Sequence, residues 1–247
     1  MQFAHFTHLD STNAEAQRRA QAGMLGPIWI STDIQTKGRG RRGKDWVSQT
    51  GNLFCTGLYT FDGALADAAK LSFAAALALA ETLGNYIDPA LISIKWPNDV
   101  LIGGEKAAGI LLESGTYEGK IWIAVGMGVN LISSPQADDY NTTHLLAHIA
   151  KDKLQGPNSV FSGTQPMITL LAERFEHWRD LYVNAGFMPL RKAWLARAQG
   201  LGRPVTARLP NKTIMGLALG MDEDGALKLK KDSGEIVKIH AGDVFFS

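Results

Sequence analysis

The sequence predicts an α+β protein, a mixed sheet with helices packed on one side, followed by a small C-terminal β-barrel. Short apolar runs bounded by glycine, proline and asparagine recur between residues 28 and 125, which is the spacing of strands and hairpins. Residues 67–83 are instead rich in alanine and leucine and stop before Gly84, and 167–185 carry apolar side chains at helical spacing closed by Gly186. From residue 203 onward the texture changes to short strands separated by polar turns, the pattern of a small barrel. A chain of 247 residues accommodates one large and one small domain, and the boundary is expected at Gly200, giving 1–199 and 200–247.

Thr12 to Glu15 has capping-box spacing and opens a helix that ends near Gly23. Residues 28–32 form a strand leading into a basic segment, and residues 53–59 form a second strand. The alanine- and leucine-rich stretch 67–83 is a buried helix. Strands follow at 92–96, 100–102, 106–113 and 120–125, with Gly103-Gly104 and the 115–119 segment as turns. Closely spaced glycines at 126 and 128 are expected to break the last of these strands. Residues 131–165 are polar and proline-containing, and read as loops with one short helix at 144–150. Helices follow at 167–185 and 189–198, the second with proline at its start. The C-terminal strands fall at 205–209, 213–219, 226–230, 236–239 and 244–246.

Composition narrows the function. Apolar residues make up 45% and charged residues 20%, which suits a globular chain rather than a disordered one. Net charge is +1, so the broad cationic footprint of a nucleic-acid binder is missing. A single cysteine, Cys55, excludes an internal disulfide framework and suits a reducing compartment; its apolar neighbours make it a core residue rather than a nucleophile. No basic segment followed by an apolar stretch opens the chain, and the longest apolar run, 73–80, is far too short to span a bilayer. The expectation is a cytoplasmic protein without a membrane or nucleic-acid partner.

Against that near-neutral background, every residue from Lys37 to Lys44 is basic or glycine. Such a stretch cannot enter a core, because its charges would be unpaired. It is either a solvated basic loop or a clamp that wraps an anion with backbone N–H groups and guanidinium forks. It is not a Walker A loop, since the Gly-Lys-Ser/Thr ending and following helix are missing. Gly38, Gly40 and Gly43 match dinucleotide-loop spacing, but a strand follows where a helix should. Trp46 ends the segment as a core aromatic or as a lid on a planar ligand.

Further polar groups interrupt apolar strands. Lys95-Trp96-Pro97-Asn98-Asp99 ends a strand in a turn bracketed by opposite charges, which suits magnesium-bound phosphates. Lys106 begins an apolar strand that contains Gly109, and a strand glycine often marks close approach of a ligand or another backbone. Ser11 and Asn13 flank the capping Thr12 and carry donors for a small polar head group. Asn130 follows the glycine-rich turn, where a purine or phosphate would lie beside it.

In this order, Ser11-Thr12-Asn13, Gln35-x-x-Gly38-Arg39-Gly40-Arg41-Arg42-Gly43, Lys95 to Asp99, Lys106-x-x-Gly109-Ile110-Leu111 and Gly126-x-Gly128-x-Asn130, the chain resembles the biotin–protein ligases over nearly its whole length. The resemblance implies a class II synthetase-like biotin/lipoate ligase catalytic domain and a small SH3-like domain. It implies attack of the biotin carboxylate on the α-phosphate of ATP, giving biotinyl-5′-AMP and pyrophosphate. Transfer to a lysine of a biotin carboxyl carrier domain of a biotin-dependent carboxylase would follow. Lys106 and Arg41 are the implied catalytic residues. Ser11, Thr12, Asn13, Gln35, Arg39, Gly40, Arg41, Lys106 and Gly109 would form the biotin side. Gly38, Arg39, Arg41, Trp46, Lys95, Asn98, Asp99, Lys106 and Asn130 would form the nucleotide side. Mg²⁺ is implied as the partner of ATP, without assigned protein ligands, and a homodimer is compatible with the resemblance. Lys37, Arg42 and Lys44 are expected only to hold the loop in solvent. Some members of the family carry an N-terminal winged helix and repress transcription; this chain starts about ten residues before Ser-Thr-Asn, so a ligase without repressor activity is expected. The nearest enzymatic alternative is a lipoate–protein ligase; a nucleic-acid binder using the basic loop is the alternative from another class.

Overall fold

A seven-stranded sheet carries the larger part of the chain, in the order β1-β2-β3-β7-β6-β5-β4. The computed structural model describes residues 1–137, 140–150 and 164–246. The strands are β1 (Gln2–Leu9), β2 (Ile28–Gln35), β3 (Leu53–Phe61), β4 (Ile92–Lys95), β5 (Asp99–Ile102), β6 (Glu105–Tyr117) and β7 (Lys120–Val129). Strand β1 runs parallel to β2 and the remaining neighbours are antiparallel, so the sheet is mixed. The helices are α1 (Thr12–Gln21), α2 (Leu65–Ala68), α3 (Leu71–Leu83), α4 (Gln165–Ala185) and α5 (Phe187–Leu195).

Several expected elements change form, each for a local reason. Strand β1 was not foreseen, because it is a mostly exposed edge strand without a clean apolar alternation. Ser11, not Thr12, is the N-cap of α1, and no side chain caps the helix. Glu15 pairs with Arg18 and Arg19 rather than reaching back to the cap, so the capping-box spacing serves no capping here. The 67–83 helix is two helices, and α3 is buried on nearly every side. Strand β7 continues through Gly126 and Gly128 instead of breaking, because its ladders to β3 and β6 run on to Val129. Helix α5 starts at Phe187, with Pro189 inside its first turn. The 144–150 helix shrinks to one 3-10 turn, Leu145–His148. Part of the polar 131–165 stretch, namely 138–139 and 151–163, lies outside the described residues.

Helices cover both faces, not one. Alternation along β3 sends Leu53, Cys55 and Tyr59 into the main core with α3 and α4. On the opposite face Leu58 joins Ile30, Trp122 and Ala124 under Ala16 and Ala20 of α1. Phe175 of α4 is the centre of the main core, with ring centroids 6.0 Å from Trp29 and 5.2 Å from Tyr59. Trp29 Nε1 donates to the Tyr59 hydroxyl at 2.7 Å, which satisfies both buried polar groups. Cys55 is fully buried, and burial pushes its thiol up to about 12. It is therefore an inert core residue.

The C-terminal strands are β8 (Pro204–Arg208), β9 (Thr213–Met221), β10 (Leu227–Lys230), β11 (Ile236–Ile239) and β12 (Asp243–Phe246). The expected small barrel takes the form of a five-stranded antiparallel sheet, in the order β11-β10-β9-β8-β12. Several contacts tie it to the larger unit, among them two through Trp96 and α5. Trp96 Nε1 donates to Gly225 O at 3.0 Å, and Arg191 of α5 donates to Met221 O at 2.6 Å. No described helix is long and apolar enough to cross a membrane.

Phe175→Ala removes a fully buried ring that two aromatics enclose. Urea unfolding is expected to show a loss of about 3–5 kcal/mol. Val183→Ala, on the exposed side of the same helix, should stay within about 0.5 kcal/mol.

Candidate functional site

One lateral row of residues crosses four strands. Lys95 pairs with Asp99, Asp99 with Gly109, and Gly109 with Gly128. Cross-strand partners share a face, so a buried carboxylate, a lysine and two bare glycines lie side by side on the α1 face. Lys106 lies three residues before Gly109 and would point to the opposite face in a regular strand. A register shift between Val100 and Leu101 sets Leu101 opposite Lys106 and returns the lysine to the row.

The glycines leave a floor without side chains. A Cβ on Gly128 would lie 2.4 Å from Cε2 of Trp46, and one on Gly109 would lie 2.9 Å from its Cζ3. The indole of Trp46 thus lies directly on the sheet. Its Nε1 is buried without a hydrogen-bond partner among the described residues. Two residues along β7, a Cβ on Gly126 would lie 2.0 Å from Asn13 Oδ1, so the start of α1 also lies on bare backbone.

That helix start is held by polar contacts. Gln35 Oε1 accepts from Thr12 N at 2.9 Å and from Thr12 Oγ1 at 3.2 Å. The buried Thr56 hydroxyl lies 2.8 Å from Thr12 Oγ1 and 2.7 Å from Asn13 Oδ1. Asn13 Nδ2 donates to Glu113 Oε2 at 2.8 Å. Gln35 Nε2 donates to Ser48 at 3.1 Å, which joins this cluster to the far end of the basic loop.

The loop folds back on itself, with Gly40 N donating to Lys44 O at 2.7 Å and Trp46 N to Gly38 O at 3.0 Å. Its cations have separate partners. Arg39 pairs with Glu113 at 2.7 Å, and Arg41 donates to Asn98 Oδ1 at 3.0 Å. Lys44 and Arg42 reach Asp243 of β12 at 3.0 and 3.7 Å. Arg42 and Lys44 are therefore tied to the small sheet, contrary to the expectation that they only hold the loop in solvent.

Charge is unbalanced on the floor. Asp99 Oδ1 lies 2.8 Å from Lys106 Nζ and Oδ2 lies 3.4 Å from Lys95 Nζ, so one carboxylate serves two ammoniums. Arg41 adds a guanidinium whose hydrogen-bond partner, Asn98, is neutral. Burial pulls the Arg41 guanidinium below its ordinary value, Arg42 reinforces this, and Asp243 and Asp99 oppose it. The ring of Tyr140 faces both lysines, with its centroid 5.1 Å from Lys106 Nζ and 5.7 Å from Lys95 Nζ. The excess of positive charge in a shielded cleft is what an anionic ligand would neutralise.

Of the residues singled out in the sequence, Ser11, Thr12, Asn13, Gln35, Arg39, Gly40 and Arg41 line this one cleft. Trp46, Lys95, Asn98, Asp99, Lys106 and Gly109 line it too. Gly38 does not; it forms the loop base, where a Cβ would lie 2.4 Å from Trp46 O. Asn130 is also outside the cleft. It is 2% exposed, its Nδ2 donates to Thr143 O and its carbonyl accepts from Leu145 N, so it anchors the segment after β7. Sequence reasoning missed Glu113, Thr56, Tyr140, Asp243 and Phe245. Glu113 ends an apolar run and Tyr140 is a lone aromatic in a polar stretch, which were usable signals; Asp243 meets its partners only through the fold. Among the described residues no three His, Cys, Asp or Glu side chains cluster as metal ligands, and both oxygens of Asp99 already face lysines. The residues present do not form a cage for Mg²⁺.

Fold and cleft together define a class: a mixed-sheet α+β protein whose cation-rich cleft lies under a basic glycine loop and against a small C-terminal sheet. Residues 6–130 match the model of the biotin/lipoate A/B protein ligase family, and residues 200–247 match that of the biotin protein ligase C terminal domain. The chain is 43% identical to a biotin–[acetyl-CoA-carboxylase] ligase of Paracoccus denitrificans, over 96% of this chain and 97% of that protein. It is 33% identical to a bifunctional ligase/repressor of Bacillus subtilis, over 96% of this chain and 71% of that protein. A solved biotin protein ligase from Aquifex aeolicus, in complex with biotin and ATP, shares the fold with a TM-score of 0.78 at 23% identity, covering 100% of this chain and 99% of that one. The chain belongs to the biotin/lipoate A/B protein ligase family, among its biotin protein ligases.

Gly128→Ala is expected to expel Trp46 from the floor while leaving the strand paired, because the new methyl would overlap the indole. Limited trypsin digestion should then cut between Arg39 and Lys44 at least severalfold faster than in the unmodified protein, with little change in the melting temperature.

Proposed function

We propose that the chain is an ATP-dependent biotin–protein ligase. The observation that carries this reading is the shielded floor where Lys95 and Lys106 share a single carboxylate, Asp99, with the Arg41 guanidinium held beside them by neutral Asn98. A carboxylate nucleophile and a triphosphate repel each other, and excess fixed cations offset that repulsion as charge builds in the transition state.

In the first step a biotin carboxylate oxygen bonds to the α-phosphorus of ATP, and the bond to the bridging oxygen breaks, releasing pyrophosphate. Lys106 and Arg41 hold the carboxylate and α-phosphate together. Ser11, Thr12 and Asn13 face the ureido ring, supported by Gln35 and Thr56. Lys95, Asn98 and Asp99 serve the nucleotide side, with Trp46 and Tyr140 as apolar walls that exclude water. In the second step a neutral lysine amine of a carrier protein attacks the mixed anhydride, AMP leaves, and the amine proton passes to solvent. Mg²⁺ would accompany ATP as the counterion of its triphosphate, with no described side chain assigned to hold it. Arg39 joins the site by sharing its charge between Glu113 and the ligand.

The acceptor in this reading is the biotin carboxyl carrier domain of a biotin-dependent carboxylase. The Paracoccus relative is named for acetyl-CoA carboxylase, which supports the choice. The reading also takes 1–199 as the catalytic domain and 200–247 as an SH3-like domain, and takes the protein as cytoplasmic and without operator binding. The near-neutral net charge of +1 supports the last point.

Incubation with ATP and a carrier domain, with labelled biotin or labelled lipoate in parallel, tests the proposal. Label is expected on the carrier from biotin alone; transfer of lipoate instead would replace this reading with a lipoate ligase. Lys106→Ala should lower the rate of pyrophosphate release by roughly a hundredfold, the scale of losing one fixed charge at the reacting centre.

A further inference from the structure

The cations at the tip of the basic loop pair with the small sheet, and Lys44 and its partner Asp243 line the same cleft as Arg39 and Arg41. Lys44 Nζ lies 3.0 Å from Asp243 Oδ2, and Arg42 NH1 lies 3.7 Å from the same oxygen. Arg42 NH1 also approaches Arg208 O at 3.4 Å, so β8 and β12 of the small sheet both hold the loop. Asp243 is 29% exposed at its side chain and begins β12, and the next two residues, Val244 and Phe245, line the cleft. Burial raises the Asp243 carboxyl, but the Lys44 hydrogen bond and the charges of Lys44, Arg42 and Arg41 outweigh it, so the group lies below its ordinary value. The loop tip holds Arg42 in the left-handed region, with φ 57, beside Gly43, which takes φ 74 without cost. A non-glycine residue stays in the left-handed region only where its surroundings hold it there. The contacts that hold this one are those to Asp243 and to the Arg208 carbonyl.

We propose that Asp243 is a latch: a positioning residue on the small C-terminal sheet that holds the basic loop closed over the cleft and so sets how long an activated acyl-adenylate is retained. The loop then carries two sets of cations with different tasks. Arg39 and Arg41 reach Glu113 and Asn98 of the larger unit, while Arg42 and Lys44 fasten the loop to a second structural unit. A single carboxylate in that unit lets the small sheet govern access to a site built on the larger one. Retention matters in this scheme because the mixed anhydride is lost if water or diffusion reaches it before the acceptor lysine does. The retention half of the inference rests on the ligase reading; the loop-fastening half does not.

The test uses the full chain as Asp243→Asn, Lys44→Met and the double variant, with two readouts. Without ligands, Asp243→Asn should speed tryptic cleavage around Arg39–Lys44 severalfold at an unchanged melting temperature. With biotin and ATP, it should release the adenylate roughly three to ten times faster, as expected for a partly buried carboxylate shared by two cations. Scored at the Arg41 and Arg42 cuts, which every variant retains, Lys44→Met should have a smaller effect of the same sign, and the double variant should match Asp243→Asn, because Asp243→Asn already removes the contact that Lys44→Met breaks. Unchanged loop cleavage in Asp243→Asn, or fully additive effects, would overturn the latch. Should Asp243→Asn fold poorly, Lys44→Met decides alone, since Lys44 is 59% exposed and its truncation leaves the core intact; identical cleavage and release would then overturn it. Altered loop cleavage in a protein that forms no adenylate would refute the ligase reading and leave the fastening in place.

Discussion

The cleft depends on close approach to bare backbone. Gly109 and Gly128 are cross-strand partners, and Gly126 lies two residues along β7 on the same face. With any side chain there, neither the indole of Trp46 nor the amide of Asn13 could lie where it does. The three glycines thus decide that the basic loop and the start of α1 meet on one floor. Strand glycines weaken a sheet through backbone entropy. Here long ladders on both sides of β7, to β3 and to β6, hold the strand regular in spite of them.

Electrostatics follow from that geometry. Stripping the floor brings Lys95, Lys106 and Asp99 together under aromatic rings, where water screens them poorly. The register shift that turns Lys106 toward Gly109 is as important as the lysine itself. Arg39 is neutralised by Glu113, while Arg42 and Lys44 share Asp243 as Lys95 and Lys106 share Asp99, so each pair of cations is divided over a carboxylate of a different strand. This division explains how a run of alternating cations and glycines can fold over a cleft without simply repelling itself.

Much of this was legible in the sequence, for reasons that can be named. Alanine and leucine richness with a glycine stop indicated α3, helical spacing indicated α4, and Gly103-Gly104 indicated the β5–β6 hairpin. The motifs carrying Asn13, Arg41, Asp99 and Lys106 identified cleft residues, because charged and polar side chains inside apolar strands need a partner. Three kinds of feature were hidden. Strand β1 lacks alternation because it is a mostly exposed edge. Gly126 and Gly128 resemble a strand break locally, and only the pairing partners reveal a floor. Asp243 lies far along the chain from Lys44, and its role arises from tertiary structure alone. Asn130 lies outside the cleft lining and its amide donates to the backbone at Thr143, a contact that a polar residue after a glycine pair does not reveal in the sequence.

The most direct measurement is biotin-dependent exchange of labelled pyrophosphate into ATP, in the absence of any acceptor protein. It reports the first bond made in the cleft and nothing else. The account predicts exchange that requires biotin and that lipoate cannot replace. No exchange with biotin under conditions where the protein is folded and binds both biotin and ATP would contradict it.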